Sequence, residues 1–191
     1  MRIKLSFDDG SLYDLKLMEL LKKYNLPALF FLPIKSWGFE NIELYKDFEV
    51  GGHTFSHPQD LKLLSDDMLE FEIVVAKELF EKETKRKLEW FCYPRGRFNQ
   101  LVKDKVIKAG FKKARTTNIE NGFDKFEIGG VHCYQRKEYK GVDWLEFIKK
   151  YITSNPYKLI NIWGHSSEIN RGKDWDKLEE LFKFINENQY I

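Results

Sequence analysis

Short apolar runs suited to strands alternate with amphipathic stripes suited to helices along nearly the whole chain, which restricts the fold more than any other feature. Ile3, Leu5 and Phe7 alternate at the start, and strand-like runs follow at 28–32, 88–93, 111–116, 128–134 and 159–163. Between them, Leu12, Leu15, Met18, Leu20 and Leu21 form a helical stripe. Ser65 with Asp66 and Asp67 supplies a capping hydroxyl and an acidic first turn for a long helix through 83. Further helices are expected over 99–109, 142–153 and 174–188. This repetition predicts an α/β fold with a largely parallel sheet and right-handed crossovers, closed or nearly closed into a barrel. A doubly wound open sheet is the structural alternative.

No Pro/Ser-rich linker or internal repeat divides the 191 residues, and 42% hydrophobic content suffices for one core, so a single domain over 1–191 is expected. A net charge of +2 gives no reason to expect nucleic-acid or membrane-surface partners. No apolar run approaches the ~20 residues of a membrane span. Cys92 and Cys133 offer no disulfide framework, and both lie in apolar stretches that suit reduced core thiols. Because Met1-Arg2 leads straight into the first strand without an apolar leader, the expected location is cytoplasmic, or secreted if the chain is a trimmed piece. Oligomeric state is not legible.

Candidate site residues fall where strand-like runs end. Neighbouring strand side chains point to opposite faces, so Asp8 and Asp9 can reach one site only if the strand stops there, as Gly10 suggests. An ordinary turn after an edge strand is the simpler reading of that triplet alone. His53 and His57 are two of only four histidines, and Gly51-Gly52 before them with Pro58 behind place them in a loop. One carboxylate with two imidazoles can hold a divalent metal in an open site, leaving the second carboxylate to act as a base. That combination points to metal-assisted hydrolysis.

The order Ser6-Phe7-Asp8-Asp9-Gly10, His53-x-x-x-His57, Phe91-Cys92-Tyr93-Pro94-Arg95-Gly96 and Ile162-Trp163-Gly164-His165-Ser166 resembles the polysaccharide deacetylase family. That family is also called the NodB-homology domain or carbohydrate esterase family 4. The likeness runs from Ile3 to about Glu168 and implies an irregular, incomplete (β/α) barrel of the NodB type. It implies Asp9, His53 and His57 as metal ligands, Asp8 as the base that activates water, and His165 as the acid that protonates the leaving amine. The backbone N–H of Arg95 would help stabilise the oxyanion, with Tyr93 and Trp144 beside the substrate. Asp143 would belong to the surrounding hydrogen-bonded shell, being preferred over Asp174-Trp175 because Asp143-Trp144 precedes the acid. Where the family often has an arginine that bonds the base, this chain has Cys92, so Arg95 or Arg97 would supply the charge.

The implied activity is metal-dependent removal of N-acetyl or related acyl groups from an amino sugar or polysaccharide. The ligand set suits Zn²⁺ first, with Co²⁺, Ni²⁺, Mn²⁺ and Fe²⁺ open. Three rivals stand beside it: an inactive carbohydrate-binding barrel, an amidohydrolase for a non-sugar small amide, and a non-haem iron oxygenase with the same ligand set. The last usually rides on an antiparallel jelly-roll, which the strand–helix alternation opposes.

Overall fold

The computed structural model describes residues 3–156 and 158–188. The elements are β1 (Ile3–Asp8), α1 (Asp14–Lys23), β2 (Ala28–Leu32), the one-turn α2 (Trp37–Glu40), β3 (Glu49–Gly52) and α3 (Asp66–Leu69). A π-helical stretch (Glu70–Val75) carries α3 into α4 (Ala76–Thr84). Then come β4 (Trp90–Cys92), α5 (Gln100–Lys108), β5 (Lys113–Arg115), β6 (Val131–His132), α6 (Trp144–Ser154), β7 (Ile160–Gly164), α7 (Ser166–Gly172) and α8 (Trp175–Glu187). The strands lie in the order β5-β4-β3-β2-β1-β7-β6, and every pairing is parallel.

Alternation along the strands divides the sheet into two chemically different faces. Ile3, Leu5 and Phe7 of β1 join Ala28, Phe30, Leu32, Val50, Phe91, Ala114, Val131, Ile160 and Ile162 in the large core under the helices. The other face forms the barrel interior. It carries a small apolar cluster of Leu29, Phe31 and Cys92, edged by Trp90. Buried polar side chains share this face: Ser6 lies in register with Leu29 and Trp163, Asp8 with Phe31, and Cys92 with Arg115. Gly51 is required there, since a Cβ at that position would come within 2.6 Å of the Phe31 ring.

β5 and β6 stand at opposite ends of the row, yet one segment reaches both. Ile128 bridges Arg115 in parallel, with Ile128 N donating to Ala114 O (3.0 Å) and Thr116 N donating to Ile128 O (2.8 Å). Three residues later Val131 pairs with Ile162. The strand expected over 128–134 is therefore split, its first part serving β5 and its second part β7. The result is a single-domain, curled and incomplete (β/α) barrel.

The first helical stripe is shorter than its leucines suggest. α1 begins only at Asp14, so Leu12 lies before it and is 55% exposed, Leu15 is on its outer face at 44%, and Leu17, Met18 and Leu21 face the core. The helix expected to run to 83 does form, opened by the Ser65 hydroxyl accepting from Met68 N, but its middle winds as a π-helix. Cys92 and Cys133 are free and buried. Among the described residues, no helix is long and apolar enough to cross a membrane.

Phe30 is fully buried, with its ring 5.9 Å from Phe7, 5.1 Å from Tyr45 and 5.3 Å from Phe48. Phe30→Ala should cost about 3–5 kcal/mol in denaturant unfolding, whereas Phe123→Ala, at a fully exposed ring, should stay within about 0.5 kcal/mol of wild type.

Candidate active site

The turn that ends β1 brings its two aspartates together. Asp8 follows strand parity into the barrel, and the chain then reverses with Asp9 at φ +77° and Gly10 at φ +61°. Aspartate tolerates this left-handed region better than most residues, and glycine occupies it without strain. Gly10 is needed for space too, since a Cβ would sit 2.8 Å from Leu32 Cδ2. Asp9 N donates to Phe31 O (3.1 Å), fixing the turn.

The histidine segment is a loop, with Thr54 at φ +70° and His57 at φ +55°. Its shape is held by Glu72, which lies within the π-helical stretch. The Glu72 carboxylate accepts from Phe55 N (3.0 Å), Ser56 N (2.9 Å) and Ser56 Oγ (2.5 Å), while its backbone carbonyl accepts from Phe55 N (3.1 Å). π-helical winding often marks functional sites, and here it presents both groups of one residue to the loop. His53 Nδ1 lies 2.8 Å from Cys92 O, which directs its N–H to that carbonyl and leaves the Nε2 lone pair free.

Asp9 Oδ1 lies 3.4 Å from His53 Nε2 and 3.5 Å from His57 Nε2. Ligands at about 2.0–2.1 Å around a tetrahedral ion stand about 3.3 Å apart, so this spacing matches the edges of a metal polyhedron. Asp8 Oδ1 and Asp9 Oδ1 are moreover buried without hydrogen-bond partners. Such oxygens are costly to bury unless something positive meets them. The residues fit a divalent cation.

Asp8 has a partner absent from the sequence expectation. Arg115 Nη2 donates to Asp8 Oδ2 inside the barrel and lies 2.9 Å from Cys92 Sγ. Burial works to raise the Asp8 pKa, but the Arg115 charge, with His53 and His165, outweighs it and keeps the carboxylate ionised. This corrects the assignment of that charge to Arg95 or Arg97. Arg97 instead donates to Gln59 O (3.3 Å) and faces Asp60 (3.5 Å). Arg95 is an exposed side chain on a backbone at φ +56°. In its turn, the paired backbone donors are Gly96 N to Tyr93 O and Arg97 N to Pro94 O, not Arg95 N.

His165 follows β7 directly and faces the same space, its Nε2 being 3.6 Å from Asp9 Oδ2 and 4.0 Å from Asp8 Oδ2. Its Nδ1 lies 2.6 Å from Glu168 Oε2, and His132 Nε2 approaches that oxygen at 3.0 Å. Burial disfavours a charged His165, but Glu168 and the two aspartates more than compensate and raise its pKa. The structure thus gathers Asp8, Asp9, His53, His57 and His165. It does not bring Asp143 or Trp144 to them. Asp143 caps α6 by accepting from Leu145 N (2.9 Å) and pairs with Lys177, while Trp144 is buried with Nε1 donating to Asp174 (3.2 Å). Tyr93 is also buried, stacked on Phe98 at 4.5 Å, and its N–H is engaged by Arg115 O.

Residues 1–114, more than half of the chain, match the polysaccharide deacetylase family. The chain belongs to that family. It is 25% identical over 155 residues to a peptidoglycan deacetylase of Helicobacter pylori, covering 78% of this chain and 52% of that protein. It is 33% identical over 120 residues to a peptidoglycan-N-acetylglucosamine deacetylase of Bacillus cereus, covering 58% and 54%. The chain spans about half the length of these curated relatives. Among solved structures, a peptidoglycan N-acetylglucosamine deacetylase superposes with a TM-score of 0.71 at 21% identity, covering 98% of this chain and 83% of the other. A carbohydrate esterase family 4 pseudoenzyme from Bacillus anthracis superposes with a TM-score of 0.69 at 21% identity, covering 97% and 60%. These likenesses establish the shared fold.

Within this family frame, sequence reasoning missed Arg115, Glu168 and His132. Arg115 had a signal only in its place within the expected 111–116 strand, since its position opposite Cys92 comes from the β4–β5 register. Glu168 had one as well, at the i+3 position of a helix that starts beside His165. His132 is set by the β6–β7 register, opposite Trp163.

The site is tied together below by Asp14, a fully buried carboxylate. It accepts from Tyr45 OH (2.7 Å) and Ser166 Oγ (2.5 Å), and Ser166 Oγ also meets Ser11 Oγ at 2.7 Å. This links the turn after Gly10 to the start of α7. Burial outweighs these hydrogen bonds and pushes the Asp14 pKa up from 3.8 to about 6. A raised acid favours the folded state fully below its unfolded pKa and loses that advantage as pH rises through the folded one. Wild type should therefore lose about 2 kcal/mol relative to Asp14→Asn between pH 4 and pH 7 in urea unfolding. A stability difference constant across that range would show that burial leaves the Asp14 pKa at its unfolded value.

Proposed function

We propose that this chain is a divalent-metal-dependent hydrolase removing N-acetyl or related acyl groups from an amino sugar or its polymer. One observation carries the reading: Asp9, His53 and His57 converge at metal-ligand spacing, and His165, backed by Glu168, stands 3.6 Å from Asp9 and 4.0 Å from the second carboxylate, Asp8. Likeness to a peptidoglycan deacetylase and to a peptidoglycan-N-acetylglucosamine deacetylase supports an N-acetylated glucosamine substrate.

Asp9 Oδ1, His53 Nε2 and His57 Nε2 would hold the cation, with Zn²⁺ favoured by two imidazoles and one carboxylate. When bound, such an ion polarises a carbonyl and lets water attack at neutral pH. Asp8 Oδ1 receives the proton from the attacking water. Its other oxygen is held by Arg115, so the bare one is the atom left to act. The Arg95 N–H is assigned to the oxygen that gains charge in the attack. His165 Nε2 gives its proton to the departing nitrogen, which leaves as the free amine while the acyl group departs as the carboxylate. Glu168 holds Nδ1 of that ring.

Wild type should release acetate from N-acetylated glucosamine oligomers, and a chelator should stop it. His53→Ala and His57→Ala should lose bound metal by elemental analysis. Asp8→Asn should keep the metal while turnover drops about 10²–10⁴-fold. Sugar binding without acetate release at any metal would favour an inactive barrel. Acyl release confined to non-sugar amides would move the activity to another substrate class.

A further inference from the structure

His132 is a buried imidazole that the proposed chemistry leaves unused. It closes β6, lies flat on Trp163 with ring centroids 4.0 Å apart at 23°, and its carbonyl accepts from Tyr139 OH (2.5 Å). Neither ring nitrogen makes a hydrogen bond of good geometry, although Nε2 stands 3.0 Å from Glu168 Oε2. Burial, with His165 and Arg136 nearby, lowers its pKa and favours the uncharged ring. A neutral imidazole still carries one N–H, and hiding that donor without an acceptor is costly. Glu168 Oε2 is the acceptor in reach, and a tilt of the ring on the Trp163 face brings the N–H into line.

The same three side chains, His132, His165 and Glu168, also have the composition of a cation site. Their spacing speaks against one. Separations of 2.6 and 3.0 Å onto a single oxygen are hydrogen-bond lengths, shorter than the roughly 3.3 Å edge of a tetrahedral ion's ligand shell. Among the described residues, Glu168 otherwise has only Arg171, 3.7 Å from Oε1 and 70% exposed, to fix its direction.

We propose that His132 is a positioning residue for His165, acting through Glu168: its Nε2–H clamps the shared carboxylate oxygen and thereby sets the direction in which His165 presents Nε2. This rests on the reading of His165 as the acid. Without the clamp, the carboxylate can swing toward Arg171 and take the His165 ring with it.

The test uses the full metal-loaded chain and acetate release from N-acetylated glucosamine oligomers. His132→Phe keeps a flat ring over Trp163 and removes the donor, so kcat should fall roughly 10–100-fold with KM and metal content unchanged. His132→Gln restores an N–H of similar reach and should recover most of kcat. Nitrogen NMR of the metal-free chain should show His132 as the Nε2–H tautomer with a slowly exchanging proton, lost in Glu168→Gln. Wild-type kcat in His132→Phe, an equal loss in His132→Gln, or an Nδ1–H tautomer would each overturn the proposal. If wild type itself releases no acetate, the hydrolase reading fails instead, and the NMR result still decides whether His132 holds Glu168.

Discussion

A carboxylate and a guanidinium meet inside the barrel with almost no water around either, and the site is organised about that contact. Asp8 and Arg115 come from strands four places apart in the row, β1 and β5, so their pairing spans the interior. Removing one partner of a buried pair typically costs about 3–5 kcal/mol, because the other charge is left stranded. Arg115 is itself steadied by Trp163 at 4.4 Å and Phe31 at 5.3 Å, so the aromatic side chains of the interior serve as walls for a charge. The pairing also separates the two oxygens of Asp8, one engaged and one bare. That asymmetry is what a base needs if it is to stay ionised and still accept a proton at a defined atom.

Much of the architecture was legible because periodicity encodes it. The alternation of Ile3, Leu5 and Phe7 placed Asp8 on the interior face, and the argument that two consecutive aspartates can converge only where a strand stops matches the left-handed Asp9 and Gly10. The loop character of 53–57 followed from its glycines and proline. What stayed hidden depends on register between distant strands. Cys92 stands where the family often has an arginine, and nothing local says that a guanidinium 23 residues later would enter the same space. Asp143 resembled the family's aspartate in sequence, yet in space it caps a helix, because capping needs only its own backbone neighbours. Glu168 was within reach of the i+3 rule but lay beyond the motif that drew attention to His165.

The fold comparison alone cannot separate an enzyme from an inactive relative, since a pseudoenzyme from Bacillus anthracis superposes about as well as a deacetylase does. The distinction lies in side chains. This chain keeps a carboxylate with a free oxygen, an imidazole pair at ligand spacing and an imidazole backed by a carboxylate, all within one mouth of the barrel. The all-parallel sheet also departs from the antiparallel jelly-roll on which iron oxygenases with the same ligand set usually ride.

The short stretch from Ile128 to His132 works as a seam between the two free margins of the sheet. Its first stitch holds the strand that bears Arg115, and its last residue is the imidazole beside Glu168. Exposed strand margins invite pairing with other chains, so each margin shields the other here. Should the seam part, the guanidinium on one lip and the imidazole on the other would be freed in a single event, and the props of Asp8 and of Glu168 would go slack together.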